Sequence, residues 1–394
     1  SDAPRRMILR NVRVFDGVHE QTTDNADVLV EGSHIVAVST SPVAGDASEG
    51  VVEIDGRGRF LMPGLTDASE LAHALEPALR ESCDGRLGPV RWFRTDWQRG
   101  GAATGFSTFT FDGEPAPRDV VVKLPIGPTE HRTLVDLSRT EAPTPRVAAD
   151  GWELGAYDVG WVVMEKLPGM PLSVATSGVS ASPEAYERLK QAMEEVAAAA
   201  AVFYRHAERA WPIDPHRVQR VDWAQLIEQG RAAVKTSHIP NEARWTDALK
   251  KVQKGIGALL ARWDARPITT WKHGDLHPGN AMRRPEGSPW GPACCVLLDF
   301  AEVAPGHWVE DAVYLERLHW AHMEHMNGLK PVSMLAKARK VVGLDNGDDY
   351  AELANIRRVL VAAAAPAFLK TDGNPRYLDA ALGVLERLTP AVVK

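Results

Sequence analysis

The sequence predicts an α+β fold with a β-rich start, a mixed middle and a mainly helical second half. Residues 7–66 contain short apolar runs that alternate with polar residues and are bounded by Gly, Asp and Pro. Residues 67–167 combine one helical pattern with further strand-like runs, and longer apolar patterns of helical period dominate from residue 168 onward. We therefore predict three domains, over residues 1–66, 67–167 and 168–394.

The elements follow in that order along the chain. Strands are predicted at 8–15, 27–30, 35–38 and 51–54, then a helix at 69–81 and strands at 90–96, 107–111 and 120–124. Ser182 and Pro183 begin a long helix to about Glu208, because serine accepts a hydrogen bond from a first-turn N–H group and proline fits the first turn. Further helices are predicted at 223–234, 242–263, 310–326 and 349–365, around a β-rich island at 268–300.

Composition excludes several functional classes. The chain has 394 residues, 44% of them hydrophobic and 25% charged, which suits a globular protein with a sizeable core. Its cysteines, Cys83, Cys294 and Cys295, have neither a disulfide pattern nor zinc-ligand spacing, which favours a reducing cytoplasm. The net charge of −7 disfavours nucleic acid and is compatible with a cationic substrate. We predict neither a membrane partner nor a signal peptide.

The strongest chemical signal lies in the β-rich island. His-Gly-Asp-Leu-His-Pro-Gly-Asn occupies residues 273–280, and an apolar strand further on ends in Asp299. Phosphoryl transfer needs a carboxylate that orients the attacking hydroxyl and an oxygen-rich site for Mg²⁺. Asp275 and Asn280 share one loop, and Asp299 supplies a second oxygen ligand of the kind that Mg²⁺ prefers. The alternative, a chance turn, is disfavoured by the length of the motif.

These residues resemble the catalytic loop and the metal-binding aspartate of the aminoglycoside phosphotransferase and choline kinase family, which shares the protein-kinase fold. The resemblance extends over residues 67–394 and implies a two-lobed architecture that uses ATP and Mg²⁺. It implies Asp275 as catalytic base, Asn280 and Asp299 as Mg²⁺ ligands, and His273 as a loop-supporting residue. The acceptor it implies is a hydroxyl of an aminoglycoside, amino sugar, choline-like amine or related metabolite.

A nucleotide lobe should precede this loop. Lys123, in the run Val-Val-Val-Lys-Leu, would reach the α- and β-phosphates, although a strand lysine is more often a solvated edge residue. Gly100, Gly101 and Gly105 resemble the phosphate-covering hairpin of the family, since glycines let backbone N–H groups approach phosphate closely. A simple surface hairpin is the alternative for these glycines.

The resemblance also implies an orienting glutamate and a hinge. Glu130 would pair with Lys123, and the alternative is an exposed glutamate in a first helical turn. Glu165 and Leu167 lie in the segment that resembles the strand and hinge between lobes, where backbone groups would bind adenine.

Several other polar residues have both structural and functional interpretations. His277 is expected to be a loop residue with a structural hydrogen bond, and Asp311 a structural residue at a helix start. A cationic acceptor would find carboxylates in the helical region, although such glutamates are usually only solvated. These are Glu302, Glu310, Glu316 and Glu324.

Residues 7–66 resemble a different family, the start of the amidohydrolases. The resemblance lies in Leu-Arg-Asn-Val-Arg-Val-Phe-Asp-Gly at residues 9–17 and in Met-Pro-Gly-Leu-Thr-Asp at residues 62–67. In that family the run leads into a metal-binding His-x-His pair, whereas here His73 stands alone. We therefore predict a small β module without hydrolase chemistry. Two rival functions, a metal-dependent amidohydrolase and a non-catalytic nucleotide-binding or scaffold protein, are disfavoured.

Overall fold

The chain divides into two compact units, Ser1–Ile126 with Ala148–Met164, and Gly127–Val147 with Glu165–Lys394. The computed structural model describes residues 6–14, 22–31, 34–43, 51–57, 59–61, 68–93, 102–155, 157–173, 182–214, 218, 220–369 and 373–393. The domain boundaries expected at residues 66 and 167 remain predictions.

The first unit begins with a sheet of five strands. They are β1 (Arg6–Val14), β2 (Thr23–Glu31), β3 (His34–Ser39), β4 (Val51–Asp55) and β5 (Phe60–Leu61). The strand order is β3-β2-β1-β4, with β5 also paired to β1. Ile8, Val12 and Val28 are buried, as alternation along half-buried strands requires. The N-terminal β-rich region predicted from sequence is therefore present.

A second sheet of the first unit carries Lys123. It follows helix α1 (Ala68–Ser82) and has the order β6-β7-β8-β10-β9. Its strands are β6 (Arg91–Phe93), β7 (Ala103–Phe109), β8 (Arg118–Leu124), β9 (Val147–Gly151) and β10 (Trp161–Glu165). On β8, Val120, Val122 and Leu124 are fully buried. Because strand side chains alternate between faces, Lys123 projects from the opposite face.

The second unit is mainly helical. Its helices are α2 (Pro128–Ser138), α3 (Pro183–Ala210), α4 (Trp223–Thr236), α5 (Glu242–Lys254), α6 (Ile256–Asp264), α7 (Val309–Arg317), α8 (Met323–Met326), α9 (Pro331–Val341), α10 (Tyr350–Ala364) and α11 (Pro375–Val392). A core that includes Trp223, Trp245 and Trp263 joins α4, α5, α6, α10 and α11. Among the described helices, none combines the length and apolar character needed to cross a bilayer.

Short strands form the predicted β-rich island of the second unit. They are β11 (Thr270–Lys272), β12 (Ala281–Arg284), β13 (Cys294–Leu297) and β14 (Ala304–Gly306). Strand β11 pairs with β14 and strand β12 with β13, both antiparallel. The catalytic-loop motif therefore lies between β11 and β12. The mixture of sheets and helices confirms the α+β class.

Several helix boundaries differ from the sequence prediction. The helix expected at 242–263 is interrupted at Gly255, which ends α5 and begins α6. The helix expected at 310–326 ends at Arg317, and a 3₁₀ turn at Trp320–His322 precedes the short α8. Helices α9 and α11 were not predicted, although Pro331 and Pro375 mark their first turns. The N-cap of α3 is correct, since the Ser182 side chain accepts a hydrogen bond from Ala185 N.

A buried ion pair lies within the second unit, between Glu165 and Arg284. Arg284 Nη2 lies 2.5 Å from Glu165 Oε2, and Arg284 Nε donates to Glu165 Oε1 at 2.7 Å. Both side chains are only 1% exposed. Glu165 Oε2 also accepts from Arg146 N, and Arg284 Nη2 donates to the Thr144 carbonyl. Because each charge is both paired and hydrogen-bonded, these interactions offset the desolvation penalty of burying the pair.

Removing one partner of this pair should be strongly destabilising. Arg284→Ala leaves the Glu165 carboxylate buried without its counter-charge, so we expect the free energy of unfolding to fall by about 3–5 kcal/mol in urea denaturation. The double variant Arg284→Met, Glu165→Leu should recover much of this loss, because apolar side chains of similar size replace both charges. As a control, Arg231→Ala removes an exposed pair with Glu228 and should change stability by less than about 1 kcal/mol. A stable Arg284→Ala protein would contradict the prediction.

Candidate active site

The catalytic-loop motif is held in place by the carboxylate of Asp311. Asp311 lies in the first turn of α7 and is 1% exposed. Its Oδ2 accepts hydrogen bonds from His273 N and from the Tyr204 hydroxyl, both at 2.7 Å, and its Oδ1 accepts one from Gly274 N at 2.9 Å. Burial, together with the Asp311 charge, raises the pKa of Tyr204, so its hydroxyl remains a donor. Asp311 thus fixes the backbone at the start of the loop, in agreement with its predicted structural role.

His273 ties this loop to the strand end that carries Asp299. It is fully buried, and its Nε2 lies 3.0 Å from the Leu298 carbonyl oxygen. Burial lowers the pKa of His273, so the ring is neutral and its Nε2–H donates to that carbonyl. The ring packs against Phe300, with centroids 5.1 Å apart. This is the loop-supporting role that the family resemblance implies.

Gly274 has a conformation that requires glycine. Its φ is +88°, and a Cβ at this position would lie 2.4 Å from the Glu302 carbonyl oxygen. A backbone atom cannot move aside as the end of a flexible side chain can, so both φ and the lack of space exclude larger residues. The glycine in His-Gly-Asp therefore lets the loop pass close to the segment after Asp299.

Asp275 is half-buried and is surrounded by hydrogen-bond donors. Its Oδ2 accepts from Asn280 Nδ2 at 2.9 Å, and its Oδ1 accepts from the Tyr314 hydroxyl. His277 Nε2 lies 3.5 Å from Oδ1. Hydrogen bonding to His277, followed by that to Tyr314 and Asn280, lowers the pKa of Asp275 although burial opposes it. Asp275 is therefore ionised near neutral pH and can accept a hydrogen bond from a hydroxyl group.

His277 has the structural hydrogen bond expected from sequence and also contacts Asp275. Its Nδ1 accepts from Gly279 N at 3.0 Å, which leaves Nε2, the atom beside Asp275, as the donor of the ring. A Cβ at Gly279 would lie 2.6 Å from His277 Cε1, so glycine leaves room for the ring.

Asn280 lies beside Asp275, and a main-chain hydrogen bond joins its segment to the one that carries Asp299. Asn280 uses its Nδ2 to bind Asp275, which leaves its side-chain oxygen as an acceptor. Leu298 N donates to the Asn280 carbonyl at 2.8 Å, so the main chain links the two segments. Asp299 is exposed, and its φ of +60° is uncommon for a residue other than glycine. Amide and carboxylate oxygens fit a hard divalent cation such as Mg²⁺.

The predicted phosphate-binding residues are only partly described. Lys123 pairs with Thr104, and Gly105 with Val122, in the β7–β8 ladder of the first unit. A Cβ at Gly105 would lie 2.4 Å from Val90 Cγ1, so packing of Val90, the residue before β6, also explains this glycine. Gly100 and Gly101 lie outside the described residues. The nucleotide-binding roles remain predictions.

Glu130, Glu165 and Leu167 are all buried. Glu130 is 5% exposed in the first turn of α2, which disfavours an exposed, solvated glutamate there. The Glu165 side chain is occupied by Arg284, and its N–H donates to the Arg146 carbonyl at 2.8 Å. The Glu165 carboxylate and the Glu165 N–H are therefore not available to adenine. A hinge contact would need other backbone groups of this segment.

A family model described as the phosphotransferase enzyme family matches residues 103–331. The chain belongs to this family. The matched segment of this phosphotransferase includes Asp275, Asn280 and Asp299, so the family resemblance and the enzyme class predicted from sequence are confirmed. No curated protein sequence matches the chain.

Solved structures with similar folds include a candidate aminoglycoside phosphotransferase from Ralstonia eutropha JMP134, at 17% identity and a TM-score of 0.49, covering 82% of this phosphotransferase and 98% of that chain. A thermostable variant of aminoglycoside phosphotransferase APH(4)-Ia, in a ternary complex with AMP-PNP and hygromycin B, has 13% identity and a TM-score of 0.42, with coverage of 81% and 98%. The GDP complex of aminoglycoside 2'-phosphotransferase-IIIa has 15% identity and a TM-score of 0.42, with the same coverage.

Two tyrosines that complete the site were not predicted from the sequence. Tyr204 donates to Asp311, and Tyr314 donates to Asp275. The sequence spacing could have indicated Tyr314, because it follows Asp311 by three residues and therefore shares a face of α7 with it. No sequence pattern indicates Tyr204, since it lies on α3, far from the motif in sequence.

The anchoring role of Asp311 can be tested with an isosteric change. In Asp311→Asn one carboxylate oxygen becomes an NH₂ group that cannot accept, so a loop N–H or the Tyr204 hydroxyl loses its partner. We expect the free energy of unfolding to fall by about 2–4 kcal/mol, measured by urea denaturation. The matched control is Asp379→Asn at an exposed carboxylate, which should change stability by less than about 0.5 kcal/mol. Wild-type stability of Asp311→Asn would show that the loop does not depend on this carboxylate.

Proposed function

We propose that this phosphotransferase transfers the γ-phosphoryl group of ATP, with Mg²⁺, to a hydroxyl group of a small molecule. The observation that supports this proposal best is the environment of Asp275. An ionised carboxylate is held by Tyr314, His277 and Asn280 on a loop whose backbone is fixed by Asp311. Positioning and charge stabilisation account for most of the catalysis in phosphoryl transfer, so such a rigid carboxylate suits the reaction.

The hydrogen bonds of Asp275 leave room for one acceptor hydroxyl. A carboxylate has about four acceptor positions. Tyr314 and His277 lie at Oδ1, and Asn280 occupies one position of Oδ2. The remaining position on Oδ2 would accept the hydrogen bond of the substrate hydroxyl and orient its oxygen.

The reaction would follow an in-line displacement. The hydroxyl oxygen forms a bond to the γ-phosphorus while the bond from that phosphorus to the β–γ bridging oxygen breaks, and ADP leaves with the electron pair. The hydroxyl proton moves to Asp275 Oδ2. Because its pKa is lowered, Asp275 is a weak base, and we expect it to accept the proton only as the new bond forms.

The remaining residues are assigned on the basis of sequence. Asn280 and Asp299 would hold Mg²⁺, which neutralises charge on the phosphates. Lys123 would contact the α- and β-phosphates, with Glu130 as its orienting partner. Backbone N–H groups of Gly100, Gly101 and Gly105 would cover the phosphates, and backbone groups around Glu165 and Leu167 would bind adenine.

Two of the four glutamates that could bind a cationic acceptor, Glu310 and Glu316, already form ion pairs with arginines. Arg266 binds Glu310 at 3.1 Å, and Arg358 binds Glu316 at 2.6 Å. Glu324 is exposed and lies 3.4 Å from His322. Glu310 and Glu316 would have to break these ion pairs before either could bind a substrate amine.

The hydrolase alternative gains no support from the N-terminal sheet. Among the described residues, His322, Glu324 and His325 form the one group of potential metal ligands at suitable mutual distances. These residues lie in the helical unit, whereas His73, the histidine near the amidohydrolase-like segment, is not part of such a group.

Replacing the proposed base should remove activity without removing the fold. Asp275→Asn keeps the side-chain shape but loses the negative charge that orients the hydroxyl and accepts its proton. We expect kcat to fall by about 10²–10⁴, measured as acceptor-dependent ADP release, while ATP affinity changes little. Asp247→Asn on the exposed face of α5 is the control and should retain wild-type turnover. Turnover close to that of the wild type in Asp275→Asn would exclude this residue as the base.

The metal role of Asp299 leads to a separate expectation. Asp299→Ala should weaken binding of Mg·ATP by at least about tenfold in calorimetry, because an exposed strand-end carboxylate is lost, whereas metal-free ATP should bind as before. Glu302→Gln, an exposed acid three residues further on, serves as the control. Equal Mg·ATP affinity in the Asp299→Ala and wild-type proteins would remove Asp299 from the ligand set.

A further inference from the structure

A cavity of about 300 Å³ lies beside the catalytic loop in the helical unit. Gly274 and Tyr314 line it. Gly274 immediately precedes Asp275 in sequence, and the Tyr314 hydroxyl donates to the Asp275 carboxylate. A molecule in this cavity would therefore contact two residues that adjoin the proposed base. The volume is at the lower end of the range for small-molecule sites.

The lining of this cavity is aromatic, apolar and cationic. Trp223, Tyr314 and Tyr377 contribute aromatic surface. Its charged residues are Arg317 and Arg357, and no described lining residue is Asp or Glu. Such a surface matches a molecule with a planar or apolar body and a negative charge.

Arg357 has hydrogen-bonding capacity that the protein does not use. Its guanidinium lies 4.8 Å from the ring centroid of Trp223 and 5.5 Å from that of Trp263. Its Nε is buried and has no hydrogen-bond acceptor. A buried donor without an acceptor is costly, so the protein itself does not satisfy this guanidinium fully.

The acids near Arg357 are already engaged. Glu310 and Asp311 are the carboxylates whose charges act on Arg357. Arg266 donates two hydrogen bonds to Glu310, and Asp311 binds the loop backbone and Tyr204. Arg357 also lines a neighbouring cavity of about 370 Å³, together with Val221 and Trp223. Its position at both cavities leaves it accessible to a ligand.

Arg317 supplies the second positive charge. It follows Tyr314 by one helical turn on α7, and its guanidinium lies 5.1 Å from the Tyr314 ring centroid. The tyrosine that contacts the proposed base therefore also positions an arginine at the cavity wall.

We infer that the acceptor carries a carboxylate group on an apolar or aromatic body, and that Arg357 and Arg317 bind this carboxylate while the hydroxyl reaches Asp275. The inference rests on the proposed function. A guanidinium binds a planar carboxylate with two parallel hydrogen bonds, and the aromatic wall favours a flat body. A polycationic acceptor would face two like charges, Arg317 and Arg357. The ionised Asp275 offsets part of the positive charge of the two arginines. A ligand with one negative charge therefore balances the remainder better than a phosphate dianion does.

Three probes of matched size test the charge preference. They are para-(hydroxymethyl)benzoate, the corresponding benzamide and the corresponding benzylamine, each with the same hydroxyl. Their binding to the full chain without nucleotide is measured by ligand-observed NMR. We expect the benzoate to bind at least about tenfold more tightly than the benzylamine, with the benzamide between them.

Variants locate the preference in the cavity. Arg357→Met keeps an apolar stem against the tryptophans but removes the charge, so benzoate affinity should fall at least about tenfold while benzamide affinity changes less than about twofold. Arg317→Met should act in the same direction. Arg231→Met, at an exposed arginine of α4, is the matched control and should change neither affinity. If Arg357→Met does not fold, Arg317→Met and the probe series with the wild-type protein still test the charge preference of the cavity.

The outcomes separate this inference from the proposed function. Tighter binding of the benzylamine, benzoate binding that is insensitive to both arginine variants, or no binding of any probe would overturn the inference. Phosphoryl transfer from ATP to the benzoate probe is followed independently by phosphorus NMR. Selective, arginine-dependent benzoate binding without transfer to this or any other hydroxy acid would support the cavity assignment and count against the phosphotransfer assignment.

Discussion

The buried carboxylate of Asp311 is the interaction on which the site depends. Three donors converge on it, two from the backbone of the catalytic loop and one from Tyr204 on α3. In a buried setting each of these charge-assisted hydrogen bonds is stronger than a neutral one, and the carboxylate has few alternative partners. The loop is therefore positioned by the protein itself, before any ligand binds.

From this anchor the arrangement extends through the main chain. His273 binds the Leu298 carbonyl, and Leu298 N binds the Asn280 carbonyl. A main-chain hydrogen bond thus links the segments that present Asn280 and Asp299, and the His273 side chain ties the start of the loop to the same segment. Substitution of a reactive side chain can consequently change chemistry while the loop geometry persists, which makes such variants interpretable.

The sequence predicted the local part of this site well and the long-range part poorly. Asp275 and Asn280 lie within one continuous motif, so their proximity follows from the short loop between them, and Asn280 does bind Asp275. Tyr204 and Asp311 are separated by 107 residues, and Glu165 and Arg284 by 119. Such pairs depend on how helices and strands pack, and no local periodicity records that packing. Gly105 illustrates a related difficulty, because a glycine needed for strand packing has the same sequence appearance as one that approaches phosphate.

The crowded surroundings of Asp275 have a consequence for unproductive turnover. Only one acceptor position of this carboxylate remains after Tyr314, His277 and Asn280 are counted. In the proposed reaction, water and the substrate alcohol would compete for this position, and they cannot occupy it together. Nucleotide would then be lost to hydrolysis mainly when no alcohol is bound, so occupancy by the acceptor would protect it.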